Sequence, residues 1–247
     1  MRLAAFNLAA ILVVGSLVAL AAWQVHRRTW KLDLIARVDA RVHAAPSPAP
    51  GRDQWAGISA AADEYRRVTM TGSWLLDHTT LVRAVTELGG GLWVMTPFAR
   101  DDGTMVIVNR GFVPANKRNS ASWTAPVSSP LRVTGLLRLS EPGGGFLRSN
   151  DPDADRWYSR DIEAIAASRR LAIFAPYFVD AEREPGTAGL PVGGLTVLSF
   201  TNNHIAYSIT WSLLALMCAA GAVFVNIEAV RSVRKLASMS ASERTSD

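Results

Sequence analysis

The sequence predicts an α+β membrane protein in which an N-terminal and a C-terminal transmembrane helix flank a β-rich, largely antiparallel extracytoplasmic domain. Two uncharged runs support the helices, because residues 3–25 and residues 205–227 each contain no charged side chain. Each run is long enough to cross a bilayer, which takes about 20 apolar residues. Between the two runs, several short segments alternate apolar and polar residues in the manner of half-buried strands.

These features divide the 247 residues into four parts. Residues 1–25 are expected to form transmembrane helix 1, residues 26–203 the extracytoplasmic domain, residues 204–227 transmembrane helix 2, and residues 228–247 a cytoplasmic tail. Ala19-Leu20-Ala21 also fits the small-x-small pattern of a signal-peptide cleavage site, so a cleaved signal peptide stays open. The first uncharged stretch exceeds the usual apolar region of a signal peptide, which favours an uncleaved anchor.

The distribution of basic residues predicts the orientation. A basic cluster at residues 231–235 follows the second run, whereas residues 185–203 before it contain no Lys or Arg. The positive-inside rule therefore places the C-terminus in the cytoplasm or matrix, and two spans place the N-terminus on the same side. The middle domain is then extracytoplasmic, in the periplasm or the intermembrane space. Arg27, Arg28 and Lys31 argue weakly against this orientation, but long domains translocate largely regardless of such charges.

The first helix is expected to continue past the membrane and to end before Ala44, because the prolines of residues 44–51 cannot continue it. That proline stretch is expected to be a solvated linker. Pro176 indicates that the last expected strand lies at a sheet edge. The expected strands are 66–71, 79–86, 92–98, 104–109, 131–139 and 173–179, and a helix is expected over about 161–171.

Composition and motifs exclude several classes of protein. The chain has 26 Lys and Arg against 21 Asp and Glu, and no basic stripe with interleaved aromatics, which argues against nucleic-acid binding. Cys218 is the only cysteine, so neither an internal disulfide nor a multi-thiolate metal site can form. No nucleophile elbow, zinc-protease or phosphate-loop motif is present, so no enzyme is expected. A Ser-His-Asp site around His78 stays open, since such triads form in space.

The candidate functional residues lie at the outer membrane edge. His204, Tyr207 and Trp211 share one face of the second helix, and Trp23-Gln24 stands at the outer end of the first. The aromatic residues alone are typical of an interfacial belt. A histidine at this depth is a functional candidate, because ionisable groups in membranes are costly. Imidazole suits an axial ligand of haem iron, although an interfacial histidine can also hydrogen-bond a lipid headgroup.

A second candidate is Asn109-Arg110-Gly111-Phe112-Val113-Pro114, at the end of an expected strand. Gly111 is expected to adopt positive φ. Arg110 is expected to form a structural ion pair, and the alternative is a ligand carboxylate such as a haem propionate. Arg110 and Gly111 are thus expected to shape the outer domain.

Taken in order, these motifs resemble the Surfeit locus protein 1 family of cytochrome c oxidase biogenesis factors. The matching segments are Trp23-Gln24-x-x-Arg27-x-x-Trp30-Lys31, Tyr65-Arg66-Arg67-Val68 to Gly72, Thr96-Pro97, Val108 to Pro114, Trp157-Tyr158-x-x-Asp161, and Asn202-x-His204-x-x-Tyr207-x-x-Thr210-Trp211. The resemblance covers nearly the whole chain. One departure is Ala21, where the family's anchor usually has glycine.

The resemblance implies a role in assembly, not catalysis. Family members help to build subunit I of haem–copper oxidase, and bacterial members are associated with haem a. It implies that His204 is the haem a ligand. From their positions on the two helices, Tyr207 and Trp211 are expected to pack against the porphyrin, and Trp23 and Gln24 to close its other side. The expected partners are oxidase subunit I, haem a synthase and the lipid bilayer of the bacterial inner membrane. Binding to nucleic acid is not expected. A scaffold that does not bind haem, and a membrane-tethered periplasmic enzyme, are the competing hypotheses.

Overall fold

The computed structural model describes residues 2–118, 131–145, 147–183, 189–196 and 203–244, with side chains from residue 3 to residue 234 of these ranges. In chain order the elements are α1 (Arg2–Val42), β1 (Ser47–Pro48), α2 (Ala60–Asp63), β2 (Arg67–Trp74), β3 (Thr80–Thr86), β4 (Gly89–Arg100), β5 (Met105–Pro114), β6 (Leu131–Leu139), α3 (Ile162–Ser168), β7 (Phe174–Ala181) and α4 (His204–Arg244). Two compact units result, Met1–Ala36 with Ser199–Asp247, and Arg37–Leu198.

The first unit contains the two long helices. Segments Leu3–Val42 of α1 and His204–Arg234 of α4 are long and apolar enough to cross a membrane. Each helix has 41 residues and is therefore about 60 Å long, roughly twice the thickness of the hydrocarbon core. The prediction of an α+β membrane protein with terminal apolar helices is confirmed. As predicted, α1 continues to Val42 and ends at the proline stretch.

The second unit is built on a sheet that closes on itself. Among the described residues the strand order is β1-β2-β6-β7-β5-β4-β3, and β2 also pairs with β4. The ring β2-β6-β7-β5-β4 is therefore a five-stranded barrel. The β5–β7 and β1–β2 pairings are parallel and the others antiparallel, so the sheet is mixed but largely antiparallel, as predicted. Closure was not predicted from the sequence.

Successive side chains of each strand point to opposite faces of the sheet, so one hydrophobic core lies inside the barrel and a second lies on its outer face. The barrel interior is filled from all five strands, with Val68, Met70, Phe98, Val106, Val108, Val133, Leu137, Ala175, Tyr177 and Val179. On the outer face, Ile162, Ile165 and Ala166 of α3 pack with Trp157 over Met95, Ile107 and Phe178. The Asp161 side chain caps α3 by accepting a hydrogen bond from the Ala164 amide at 3.1 Å. Such small barrels are filled by side chains and enclose no channel.

The expected solvated linker at residues 44–51 is wrong for its second half. Ser47–Pro48 pairs with β2, and Ala49 is buried in the barrel core. The carbonyl oxygen of Pro50 accepts hydrogen bonds from the Tyr177 hydroxyl at 2.8 Å, Arg100 Nη1 at 3.1 Å and Trp55 Nε1 at 3.3 Å. Prolines cannot continue a helix, but an extended strap needs few backbone donors. This one bonds to the barrel through the Ala49 N–H, which donates to the Thr69 carbonyl at 2.9 Å, and through the carbonyl groups of Ala49 and Pro50.

The expectation that Pro176 marks an edge strand is also wrong. β7 lies inside the sheet, between β5 and β6. The β5–β7 register shifts between Met105 and Ile107, opposite residues 174–178 of β7, and the pairing with β6 begins only at Tyr177. Such an irregularity accommodates a proline. At a bulge the strand makes no ladder hydrogen bond, so the N–H that proline lacks is not needed.

A second irregularity places Arg110 and Gly111. The β4–β5 register shifts between Trp93 and Met95, opposite residues 109–112 of β5. Gly111 has φ +130°, which confirms the expected positive φ, and Asn109 Oδ1 accepts its N–H at 3.1 Å. Asn109 Nδ2 in turn donates to the buried Asp180 carboxylate at 2.8 Å. Arg138 and Arg160 also donate to Asp180, at 3.3 Å and 3.1 Å.

The expected ion pair of Arg110 is not formed with any described residue. Its guanidinium lies 5.2 Å from the centre of the Trp74 ring, and its Nη1 is buried without a hydrogen-bond partner. Burial lowers the pKa of Arg110 from its ordinary value. Among the described residues, Arg110 is therefore held by the aromatic ring and not by a counter-ion.

Tyr177 makes the stability of the barrel sensitive to alkaline pH. Burial raises the pKa of its hydroxyl to about 12, whereas the unfolded chain ionises near 10. Its stabilising contribution is therefore complete below pH 10 and is lost as pH rises towards 12. We expect the free energy of unfolding to fall by about 1.4 kcal/mol per pH unit in this window. Denaturant titrations of the detergent-solubilised protein measure it. Tyr177→Phe should remove this slope, and an unchanged slope would contradict the assignment.

Candidate functional site

The two long helices meet along a seam with a regular period. The less exposed positions in the first 28 residues of α1 are Asn7, Ala10, Val14, Leu17, Ala21, Gln24 and Arg28. Those of α4 include His204, Ser208, Trp211, Ala215, Ala219, Ala222 and Asn226. Spacings of three and four residues average 3.5 along α1 and about 3.7 along α4, close to the 3.6 residues of one helical turn, so each helix keeps one face towards the other. Six of these fourteen residues are alanine or serine, and small side chains let helices approach closely in a membrane.

His204 and Gln24 meet on this seam. The imidazole Nδ1 of His204 lies 2.8 Å from Oε1 of Gln24. A carbonyl oxygen only accepts hydrogen bonds, so Nδ1 carries the proton and donates. The ring's remaining lone pair is then on Nε2, and the ring orientation is fixed by the bond. Gln24 thus orients the histidine, a role that the sequence analysis did not assign to it.

One turn deeper, a side chain of α4 bonds to the backbone of α1. The Ser208 hydroxyl donates to the carbonyl oxygen of Ala21 at 3.2 Å, and Ala21 is only 8% exposed. An alanine therefore permits close approach at this position. Together the Ser208 and Gln24 bonds hold the first two turns of α4 against the residues 21–24 of α1.

At the opposite end of the seam, Asn7 and Asn226 form a reciprocal amide pair. Asn7 Nδ2 donates to Asn226 Oδ1 at 3.0 Å, and Asn226 Nδ2 donates to Asn7 Oδ1 at 2.8 Å. Polar side chains in apolar helices fix register, because an unpaired amide is costly there. In the sequence each asparagine stands out in an otherwise apolar run, but spacing does not reveal the pairing of two residues 219 positions apart.

The aromatic candidates are only partly gathered at His204. Trp211 lies on the same seam, two turns along α4. Tyr207 and Trp23 are 55% and 52% exposed, so they lie on the outer surface of the helix pair. Such exposure fits both an interfacial belt and a surface for a flat apolar ligand. His26 is exposed and off the seam, and the described residues contain no cluster of three or more His, Cys, Asp or Glu that could hold a metal.

Comparison with known proteins gives the family. The model of the SURF1 family matches residues 11–216. Surfeit locus protein 1 of Homo sapiens is 34% identical over 81% of this chain and 71% of its own length. That of Takifugu rubripes is 33% identical over 85% of this chain and 91% of its own length. The chain belongs to the SURF1 family. The predicted resemblance is thereby confirmed.

The SURF1-type motifs fall into both units of the structure. In the first motif, the Arg27 guanidinium lies 4.6 Å from the centre of the Trp30 ring, and Gln24 holds His204. Asn202, which opens the last motif, lies outside the described residues. The Asn109–Gly111 motif forms the bulge that Asp180 supports, and Trp157 of the fifth motif is buried in the outer core.

Proposed function

We propose that this SURF1-family protein is a cytochrome c oxidase assembly factor that binds haem a on its helix pair and helps its insertion into oxidase subunit I. The observation that supports this most is the bond between His204 and Gln24. It leaves Nε2 as the one free lone pair of a half-buried imidazole, on a side chain that the membrane would otherwise disfavour.

The residues around His204 fit a porphyrin that must later be released. A metal-bound histidine commonly donates its other ring N–H to an oxygen acceptor, and Gln24 supplies that acceptor. Trp211, Tyr207 and Trp23 offer aromatic surface near one end of the helices, and the exposed apolar side chains of both helices offer a hydrophobic surround. A single histidine ligand suits a carrier, since two strong ligands would retain the cargo.

The competing function is a scaffold that stabilises subunit I without binding haem. The outward faces of α1 and α4 favour it, because they carry exposed leucine, isoleucine, valine and phenylalanine side chains that another transmembrane protein could contact.

Haem content after co-expression separates the two functions. The full-length protein is purified in mild detergent from cells that also express the enzymes of haem a synthesis, with haem b-producing cells as the matched control. A haem a carrier should carry about one haem a per protein in the Soret and pyridine haemochrome spectra. Protein that is folded, active in oxidase assembly and free of haem a would favour the scaffold.

The proposed location is the inner membrane of a bacterium, with both termini in the cytoplasm and the barrel unit in the periplasm. Arg231, Arg234 and Lys235 support the cytoplasmic C-terminus. Alkaline phosphatase fused at Pro126, which lies outside the described residues, should be active, and the same reporter at Ser240 should be inactive. Green fluorescent protein at the same two positions should show the reverse. An active phosphatase at Ser240 would contradict the topology.

A further inference from the structure

We propose that the outer edge of β3 is a docking site for an extended, acidic segment of a partner protein. Barrel closure pairs the lateral edges of β2, β4, β5, β6 and β7, whereas β3 is attached to β4 outside the ring. On its other side, the described residues contribute only the bridge between Val82 and Trp157. Edges of this kind accept an additional strand from another chain.

The direction of the backbone groups shows where the edge is open. The Arg83 N–H donates outward to the Trp157 carbonyl at 2.9 Å. Because backbone groups alternate along an antiparallel strand, the Val85 N–H and C=O also face outward, while those of Ala84 and Thr86 face β4. No described residue pairs with the edge beyond Arg83. An incoming segment would therefore bond to the Arg83 carbonyl and to both backbone groups of Val85.

The charge beside this edge selects the partner. The guanidinium groups of Arg83 and Arg148 lie 5.4 Å and 5.5 Å from the centre of the same ring, Tyr158. Neither guanidinium forms an ion pair or a side-chain hydrogen bond with another described residue. Two like charges on one ring repel each other, and a carboxylate between them would attract both guanidinium groups and offset their repulsion. The partner segment therefore carries an aspartate or glutamate at this point.

Exposed apolar residues near the edge argue against the alternative that Arg83 only prevents other strands from pairing there. Edge strands are commonly protected by charged side chains, and Arg83 alone would fit that role. However, Val85 is 90% exposed and Leu88, in the adjoining turn, is 56% exposed. Val85 is two residues from Arg83 and lies on the same face of the strand. The edge thus favours a segment with an acidic and an apolar residue two positions apart.

A defined peptide tests this proposal on the full-length protein in nanodiscs. The probe is Ser-Thr-Glu-Thr-Val-Thr-Ser with a neutral fluorophore, and binding is followed by fluorescence anisotropy. Saturable binding is expected, weaker at 500 mM salt than at 50 mM because exposed ion pairs are screened. The same peptide with glutamine for glutamate, and one N-methylated at alternate amides, should bind more weakly.

Variants of the protein assign the site. Arg83→Gln with Arg148→Gln should raise the Kd about three- to tenfold, as expected for two exposed ion pairs. Arg132→Gln, at an exposed arginine on β6, is the matched control and should leave the Kd unchanged. Val85→Pro removes an N–H that points away from β4, so it breaks no hydrogen bond within the sheet. It should abolish peptide binding. Haem a binding by the double variant should stay at the wild-type level, so this proposal and the proposed function fail separately.

Three outcomes would overturn the proposal. The first is no saturable peptide binding, and the second is an equal loss of binding in Arg132→Gln. The third is that the peptide does not bind but vesicles containing phosphatidylglycerol do, in a manner that depends on Arg83 and Arg148. These two arginines would then be a contact for lipid headgroups.

Discussion

Replacing His204 by alanine will remove the haem a Soret band from the purified protein, while the helix pair stays inserted. The substitution deletes the one imidazole on the seam and its free Nε2, which we propose as the iron ligand. The Ser208–Ala21 bond and the Asn7–Asn226 pair do not involve the ring and remain to hold the helices together. Expression level, membrane fractionation and the far-ultraviolet circular dichroism spectrum should match the wild type.

Gln24 variants separate a ligand from a surface histidine. Gln24→Leu removes the acceptor of the Nδ1 proton, and loss of such an outer partner typically weakens metal affinity about 10- to 100-fold. Gln24→Glu keeps an acceptor oxygen and should retain binding with a shifted Soret maximum. Tyr207→Phe and Trp23→Ala should weaken binding less, because both side chains are exposed. If His204→Ala keeps haem a with an unchanged spectrum, the ligand assignment is wrong and the scaffold becomes the better proposal.

The sequence predicted the local elements well, because each carries its own periodic signal. β6 was predicted with its observed ends, and β3 to within one residue. The apolar helices followed from the uncharged runs. A helix was expected over about 161–171, and α3 lies within it, with Ile162, Ile165 and Ala166 buried.

Errors arose where the structure depends on contacts between distant segments. The 44–51 stretch has a linker composition, but Ala49 and Pro50 are buried because β4 and β7 supply partners for Pro50. Pro176 signals an interrupted ladder, which a bulge provides as well as an edge does. Closure of the barrel depends on the short β2–β4 pairing, which leaves no mark on the local pattern.

The candidate site was predicted only as a set of residue types. His204, Tyr207 and Trp211 follow from helical spacing, and Trp23 and Gln24 from their place at the outer end of the first uncharged run. The hydrogen bond between His204 and Gln24 joins residues 180 positions apart, so spacing could not reveal it. For Arg110 the sequence suggested a carboxylate partner, but Asp180 is bonded instead to Arg138 and Arg160, and only the fold decides which arginine obtains it.

Gly111→Val will prevent stable accumulation of the protein. Gly111 has φ +130°, which a β-branched residue resists, and a Cβ at this position would lie 2.4 Å from both the carbonyl carbon and the oxygen of Val192. These are backbone atoms held by two hydrogen bonds between Phe112 and Val192, each 2.9 Å long, so they cannot move aside cheaply. The β5 bulge, the Asn109–Asp180 bond and the segment around Val192 would be disturbed together.

The matched pair Gly111→Ala and Gly103→Ala isolates this crowding from backbone strain. Gly103 also has positive φ, +78°, but a Cβ there would meet no atom within 4 Å. Gly103→Ala should therefore cost about 1 kcal/mol, from the left-handed backbone alone. Gly111→Ala should cost about 3 kcal/mol or more, because the clash with Val192 is added to the strain. Denaturant unfolding of the purified variants gives both values, and immunoblots of membranes give their abundance. Normal accumulation of Gly111→Val with lost oxidase assembly would show instead that this motif contacts a partner directly.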